Sequence, residues 1–208
     1  RTETYGIDSH RPETVSFAVS LRDDLARRDF SINAMALDES GGVIDFFNGR
    51  EDLHDGVIRT VGDPLERFQE DSLRMFRAAR FAAVFNFAID PATLAAIPPN
   101  LYRVRGLSVE RVRSEIDKTL LGRYAPKGLR VLLEQGLLSE TCRARDESGE
   151  TSIPILPELA HLRGLDQNAR YHRLDVCEHT LSTVEQIIPH PVLRWAALLH
   201  DVAKGLPD

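Results

Sequence analysis

Only two cysteines, Cys142 and Cys177, occur in the 208 residues. They stand alone, without metal-ligand spacing, and a reducing cytosol is the compartment this usage predicts. Long hydrophobic runs are missing as well. No apolar stretch approaches the roughly 18 residues that a membrane-spanning helix needs, and no signal peptide is visible, so a cytoplasmic protein without a membrane partner is expected. Internal repeats and low-complexity segments are absent. Positive charge is in deficit, with 26 Lys and Arg against 32 Asp and Glu and a formal net charge of -6. That argues against an overall basic nucleic-acid binder but leaves room for a local basic face, because phosphate binding depends on where arginines cluster. There is no initiator Met either. The chain opens on Arg1-Thr2-Glu3 and ends four residues after Lys204, so it reads as a fragment cut through ordered structure.

What is present is a globular composition, 42% hydrophobic and 28% charged with 11 prolines, long enough for one large or two small cores. Alternation over residues 15–19 predicts a strand. Ser20 is placed to cap a short helix over 21–27, with Asp23 at the capping-box position. Residues 32–37 and 43–47 read as two strands around a loop of about five residues, followed by one helical turn over 50–54 and a short strand over 57–61. After Asp63 helical periods dominate and strands are expected to vanish. Helices are predicted from Asp90-Pro91 to before Pro98, over 109–121 with Ser108 as the cap, over 126–136 with Gly136 as the stop, and over 174–188 and 191–204. The polar run 143–153 (RARDESGETSI) reads as a loop or linker. The fold class that follows is α+β, divided as 1–62, 63–142 and 154–208.

The longest coherent element is expected over 63–87. Asp63 suits an N-cap, Pro64 the first helical position and Glu66 a capping box. Asp71, Arg74, Arg77 and Arg80 follow at three-residue spacing, which on one helix turns each by about 300° from the last. Phe68, Leu73, Phe76, Ala83 and Phe87 are left to pack inward. Taken alone, such an acid–arginine spiral reads first as a solvated face. A second group, Arg27-Arg28-Asp29-Phe30-Ser31-Ile32-Asn33-Ala34, sits at a helix-to-strand junction, where guanidiniums suit phosphate and Asp and Asn suit ribose hydroxyls. A surface turn with a salt bridge is the competing reading. Arg103, Arg105, Arg111, Arg113, Lys118, Arg123, Lys127 and Arg130 are interleaved with acids and read as solvated helix faces before RNA contacts.

The stretches LARRDFSINAMALDESGGVIDFFNGREDL and IRTVGDPLERFQEDSLRMFRAARFAAVFNFAID closely resemble the class II tRNA nucleotidyltransferase and bacterial poly(A) polymerase family. The resemblance runs through most of the chain. It implies a nucleotidyltransferase (polymerase β-like) head over 1–62, a helical neck and body over 63–142, and addition of C and A to the 3′ end of tRNA from CTP and ATP. It also implies nucleotide binding by Arg28, Asp29 and Asn33 of the RRD region. Asp71 and Arg74 of the EDxxR motif would be the protein template for the base, with Arg77 and Arg80 as further nucleotide contacts. Addition of CC, of A alone or of poly(A) shares these motifs and remains the alternative.

The base chemistry agrees with that carry-over. Cytosine and adenine each offer an amine donor beside a ring-nitrogen acceptor, which a carboxylate and a guanidinium complement, whereas guanine and uracil present the reverse. The family's DxD carboxylates and Gly-Gly-x-x-Arg turn, which hold Mg²⁺, are expected upstream of Arg1, and nothing from Arg1 to Asp71 supplies a substitute. Asp23 and Asp24 read as surface or capping acids. This chain alone is therefore expected to select nucleotides without transferring them.

At the far end, residues 171–179 and 198–204 resemble the start of an all-α HD domain, expected over 154–208. The resemblance implies a divalent metal held by His179, His200 and Asp201, with a fourth ligand beyond Asp208. His172 reads as a surface histidine. A metal-dependent phosphohydrolase with an RNA-recognition region, or a pure nucleotide-binding module, are the competing functions. No protein partner is predicted.

Overall fold

The computed structural model describes residues 2–5, 12–16, 20–147, 149–165 and 174–205. β1 (Thr2–Tyr5) and β2 (Pro12–Ser16) pair antiparallel. The strand expected over 15–19 is thus seen to Ser16, and residues 17–19 lie outside the described residues, as does His172. Ser20 caps α1 (Leu21–Ala26) as its sequence predicts, its hydroxyl accepting from the Asp23 N–H at 3.2 Å.

β3 (Met35–Leu37) and β4 (Val43–Asp45) form the expected hairpin, in register Leu37 to Val43. Asp38 organises its loop by accepting from the N–H groups of Ser40 (2.8 Å) and Gly42 (2.7 Å). The strand predicted from residue 32 starts later. Residues Ser31–Asn33 form a 3₁₀ turn instead, because the Asp29 carboxylate takes the Phe30 N–H and the Asn33 amide and outcompetes a ladder. α2 (Gly49–Asp55) covers the predicted turn; the Asp45 carboxylate accepts from the N–H groups of Gly49 and Arg50 at its start, both at 2.9 Å. β5 (Val57–Ile58) is shorter than the strand expected, although Thr60 still bridges Phe30.

The helix expected over 63–87 is two helices. Asp63 caps the first, accepting from the N–H groups of Leu65 (2.7 Å) and Glu66 (3.3 Å), and gives α3 (Pro64–Glu70). The chain then breaks at Asp71, which is extended (φ -146°, ψ 102°), and restarts as α4 (Leu73–Phe85). Asp71 Oδ1 accepts from the Leu73 N–H at 3.0 Å, so its carboxylate satisfies a donor at the new helix start. Aspartate is poor inside a helix and good at its beginning, which is why the break falls there. The three-residue spiral therefore holds for Arg74, Arg77 and Arg80 but not for Asp71.

Strands do not vanish after Asp63. Asn86, in the left-handed region (φ 62°), turns the chain after α4 so that β6 (Ala88–Ile89) pairs parallel with β5. α5 (Pro91–Ala95), capped by Asp90, leads into 3₁₀ turns over Pro98–Gly106. α6 (Val109–Leu120) and α7 (Ala125–Glu134) follow; Ser108 stands at the N-cap of α6 but its hydroxyl makes no capping hydrogen bond, and α7 runs on to a left-handed Gly136 (φ 80°). The 143–153 linker is corrected to a hairpin, β7 (Thr141–Asp146) with β8 (Gly149–Pro154). Its polarity misled because most of the ribbon faces solvent; Cys142 is buried and Ile153 packs on the core. α8 (Pro157–Ala160), α9 (Val176–Gln186) and α10 (Pro191–Leu199) complete the order, with 3₁₀ turns over Val202–Gly205 where the last helix was expected to continue.

One apolar cluster runs from Phe68 to Leu198 and so crosses the 142–154 boundary; α4 lies within it against α6 and α7. Phe68, Leu73, Phe76 and Ala83 are buried as predicted, and Phe87 is partly buried in a smaller cluster with Phe30, Ile58 and Phe81.

Candidate functional site

The end of α1, the turn at residues 29–33, the α3–α4 junction and α6 meet around a cavity of about 500 Å³. Six of the seven predicted nucleotide-binding residues line it: Arg28, Asp29, Asn33, Asp71, Arg74 and Arg77. Arg27, Leu73 and Arg111 complete the wall. Five guanidiniums against two carboxylates make the cavity cationic in a chain that is acidic overall, which suits a polyphosphate.

Asp29 forms the buried floor at 7% exposure. Its Oδ1 accepts from the Phe30 N–H (2.9 Å) and from Asn33 Nδ2 (3.1 Å), and its Oδ2 accepts from Arg77 Nε at 2.6 Å. The Asp29 carboxylate, expected to meet a ribose, accepts from three protein groups here and anchors Arg77. Arg28 donates to the Asn33 carbonyl (2.9 Å) and lies 3.5 Å from Asp24. Asp24 also takes the Arg27 guanidinium, whose hydrogen bond holds it below the usual carboxylate range against the opposing effect of burial. Asp24 is thus an arginine holder, not a bare surface acid.

Arg74 donates Nη1 to Glu70 (2.8 Å) and to the Arg67 carbonyl (2.9 Å), and Nη2 to the Arg27 carbonyl at 2.7 Å. Three of its five N–H donors are engaged, and the other two have no acceptor among the described residues. Asp71 reaches the cavity from the junction. Its Oδ2 accepts from Arg111 Nη2 at 3.1 Å. Arg111, expected on a solvated helix face, meets Asp71 from 40 residues away in sequence, out of reach of any local pattern.

Arg80 does not reach the cavity. Its guanidinium sits 4.4 Å above the Phe81 ring and pairs with Glu115 of α6 at 3.2 Å, a carboxylate only 4% exposed. Burial draws Arg80 below its ordinary value, with Glu115 opposing. The same three-residue step that brings Arg74 and Arg77 to the cavity has by Arg80 carried the side chain round to α6.

A second cluster lies where α9 meets the end of α10. His179 Nε2 and His200 Nε2 are 3.4 Å apart, and Asp201 Oδ2 lies 3.4 Å from His200 Nε2 and 4.0 Å from His179 Nε2. Their ligand atoms fall within 4.8 Å of one another. Burial pushes Asp201 up, but Lys204 at 2.7 Å, with His200 and His179, brings it net below the usual carboxylate range. The two cysteines offer no thiolate: burial raises Cys142, and it pushes Cys177 up to about 11 with help from Asp175 and Glu178.

Residues 1–59 match the family described as "Poly A polymerase head domain", and residues 86–141 match "Probable RNA and SrmB- binding site of polymerase A". The CCA-adding enzyme of Limosilactobacillus fermentum is 47% identical over 150 residues, 72% of this chain and 37% of that protein. The CCA-adding enzyme of Limosilactobacillus reuteri is 50% identical over 137 residues, 66% of this chain and 34% of that protein. The chain belongs to the CCA-adding enzyme and poly(A) polymerase family. It spans about a third of the length of these relatives. Among solved members, the Bacillus stearothermophilus CCA-adding enzyme in complex with CTP superposes with a TM-score of 0.59 at 30% identity, covering 92% of this chain and 57% of that one. A tRNA nucleotidyltransferase complexed with a primer tRNA and an incoming ATP analogue gives a TM-score of 0.61 at 27% identity, covering 95% of this chain and 58% of that one. The fold class is accordingly the nucleotidyltransferase-like α+β arrangement expected. No described helix is long and apolar enough to cross a membrane.

Proposed function

We propose that this chain carries the nucleotide-selecting part of an enzyme that adds C and A to the 3′ end of tRNA from CTP and ATP, without a nucleic-acid template. The observation that supports it is the cationic cavity gathering Arg28, Asp29, Asn33, Asp71, Arg74 and Arg77. Arg28 and Arg77 suit the triphosphate, Arg77 being held by Asp29. The Asp71 carboxylate accepts from the amine of cytosine or adenine, and the two open donors of Arg74 serve the ring nitrogen. Guanine and uracil would set a carbonyl against the carboxylate and leave charged groups unmatched. Arg80 acts through packing, as the partner of Glu115.

The cavity does not fit Mg²⁺. Asp29 is engaged by three protein groups and Asp71 is tied to Leu73 and Arg111, so among the described residues no pair of open carboxylates faces the space. These residues therefore serve selection of the nucleotide, not its transfer.

Calorimetric titration with the four nucleoside triphosphates tests the proposal. CTP and ATP are expected to bind more tightly than GTP and UTP, by about tenfold or more for a two-point base contact, and Asp71→Ala is expected to abolish the difference. Equal binding of all four, or none, would sink it.

The second cluster supports a separate reading, a divalent cation held by His179, His200 and Asp201. Two imidazoles and an ionised carboxylate suit Mn²⁺ or a later transition metal. Bound there, the ion would polarise a phosphoryl oxygen and acidify a coordinated water, while Lys204 steadies Asp201. Saturating Mn²⁺ is expected to raise the melting midpoint by several degrees, through binding to the folded state alone. Loss of that shift in His200→Ala supports the site; an equal shift in both proteins rules it out.

A further inference from the structure

α6 meets the base-reading region at two points of opposite polarity. Arg111 gives its guanidinium to Asp71, and Glu115 receives that of Arg80. The two α6 residues are four apart, one turn along one face. Lys118, a further turn on, also reaches Glu115 at 3.3 Å. The buried Arg80–Glu115 pair ties α6 to α4, and so it delivers Arg111 to one place beside the cavity.

That place matters because, among the described residues, two donors anchor the Asp71 carboxylate. The Leu73 N–H holds Oδ1 at 3.0 Å, and Arg111 holds Oδ2 at 3.1 Å. With one oxygen held, the carboxylate can turn about its own bond; with both held, its plane is set and its remaining lone pairs point in fixed directions. A base is discriminated only if the acceptor meets the amine in that fixed direction while Arg74 meets the ring nitrogen. Asp71 lies outside a helix, at the extended break before α4, so no helical packing of its own restrains it.

We infer that Arg111 is the positioning residue that orients Asp71 for base selection, and hence a specificity determinant outside the EDxxR motif. The inference rests on the base-reading role proposed for Asp71. Arg111 touches the Asp71 carboxylate, and its action on the base is through that carboxylate.

The test uses the chain with Arg111→Met, which keeps the aliphatic stem, and Arg111→Lys, which keeps the charge without the planar fork. Arg111 is 38% exposed, so both variants are expected to melt near the wild type. Titration with CTP, ATP, GTP and UTP is expected to show the preference for C and A reduced about tenfold in Arg111→Met and less in Arg111→Lys. If wild type prefers C and A, Asp71→Ala loses that preference and Arg111→Met retains it, the inference fails while the base-reading role stands. Tighter and equally selective binding by Arg111→Met would also overturn it, making Arg111 a competitor for Asp71. If wild type binds all four alike, the base-reading role fails first and the inference with it.

Discussion

Replacing Gly128 with alanine is expected to destabilise the protein by about 2 kcal/mol, lowering the melting midpoint by roughly 4–8 °C for a chain of this size. Helix propensity alone says the opposite. Gly128 lies inside α7, where alanine is favoured over glycine by about 1 kcal/mol. The surroundings decide the sign. A Cβ at position 128 would stand 2.4 Å from the Ala79 carbonyl oxygen, 2.7 Å from the Ala83 Cβ and 2.7 Å from Thr119 Cγ2. The first of these is backbone of α4 and cannot turn aside. Relief requires α7 to back away from α4, the helix that carries Arg74 and Arg77. Nucleotide affinity is therefore expected to fall together with stability, and denaturant unfolding with a parallel CTP titration reads both. A more stable Gly128→Ala protein would mean that α4 and α7 do not approach this closely.

Asp29→Ala is expected to cost about 3 kcal/mol, the scale for removing one member of a buried ion pair. The loss has three parts: the Phe30 N–H, the Asn33 amide and the Arg77 guanidinium all give up their acceptor. Arg77 retains 31% side-chain exposure, so water takes up part of its charge and the lower end of the range applies. A double variant, Asp29→Ala with Arg77→Met, removes the stranded cation and is expected to recover part of the stability while leaving triphosphate binding weak. Recovery of neither would place the role of Asp29 in shaping the 3₁₀ turn. Recovery of both would show that Arg77 contributes nothing to the cavity.

Local chemistry was legible wherever a side chain acts on its own backbone. Ser20, Asp63 and Asp90 cap the helices they precede, and Gly136 stops the one it follows, because each effect is complete within four residues. The same locality misled at Asp71. Three-residue spacing is blind to a break, and aspartate's own preference for a helix start cut the spiral there. The β7–β8 ribbon was missed because a polar strand with one buried face of two residues has no periodicity to read, and β6 because a two-residue strand exists only through its partner β5.

The sequence by itself determined which groups are available and which helix ends form: the RRD and EDxxR residues, the two histidines and the aspartate, the caps. Only the tertiary structure decided their partners. Asp29 meets Arg77 from 48 residues away, Asp71 meets Arg111 from 40, and Arg80 meets Glu115 from 35. Which carboxylate meets which guanidinium depends on how α4, α6 and α7 pack, and packing depends on close approaches such as Gly128 on Ala79 that no local spacing encodes. The arginine in one sequence pattern, Arg80, was thereby turned into a brace, and one taken for a solvated face, Arg111, was brought to the carboxylate that reads the base in the proposed function.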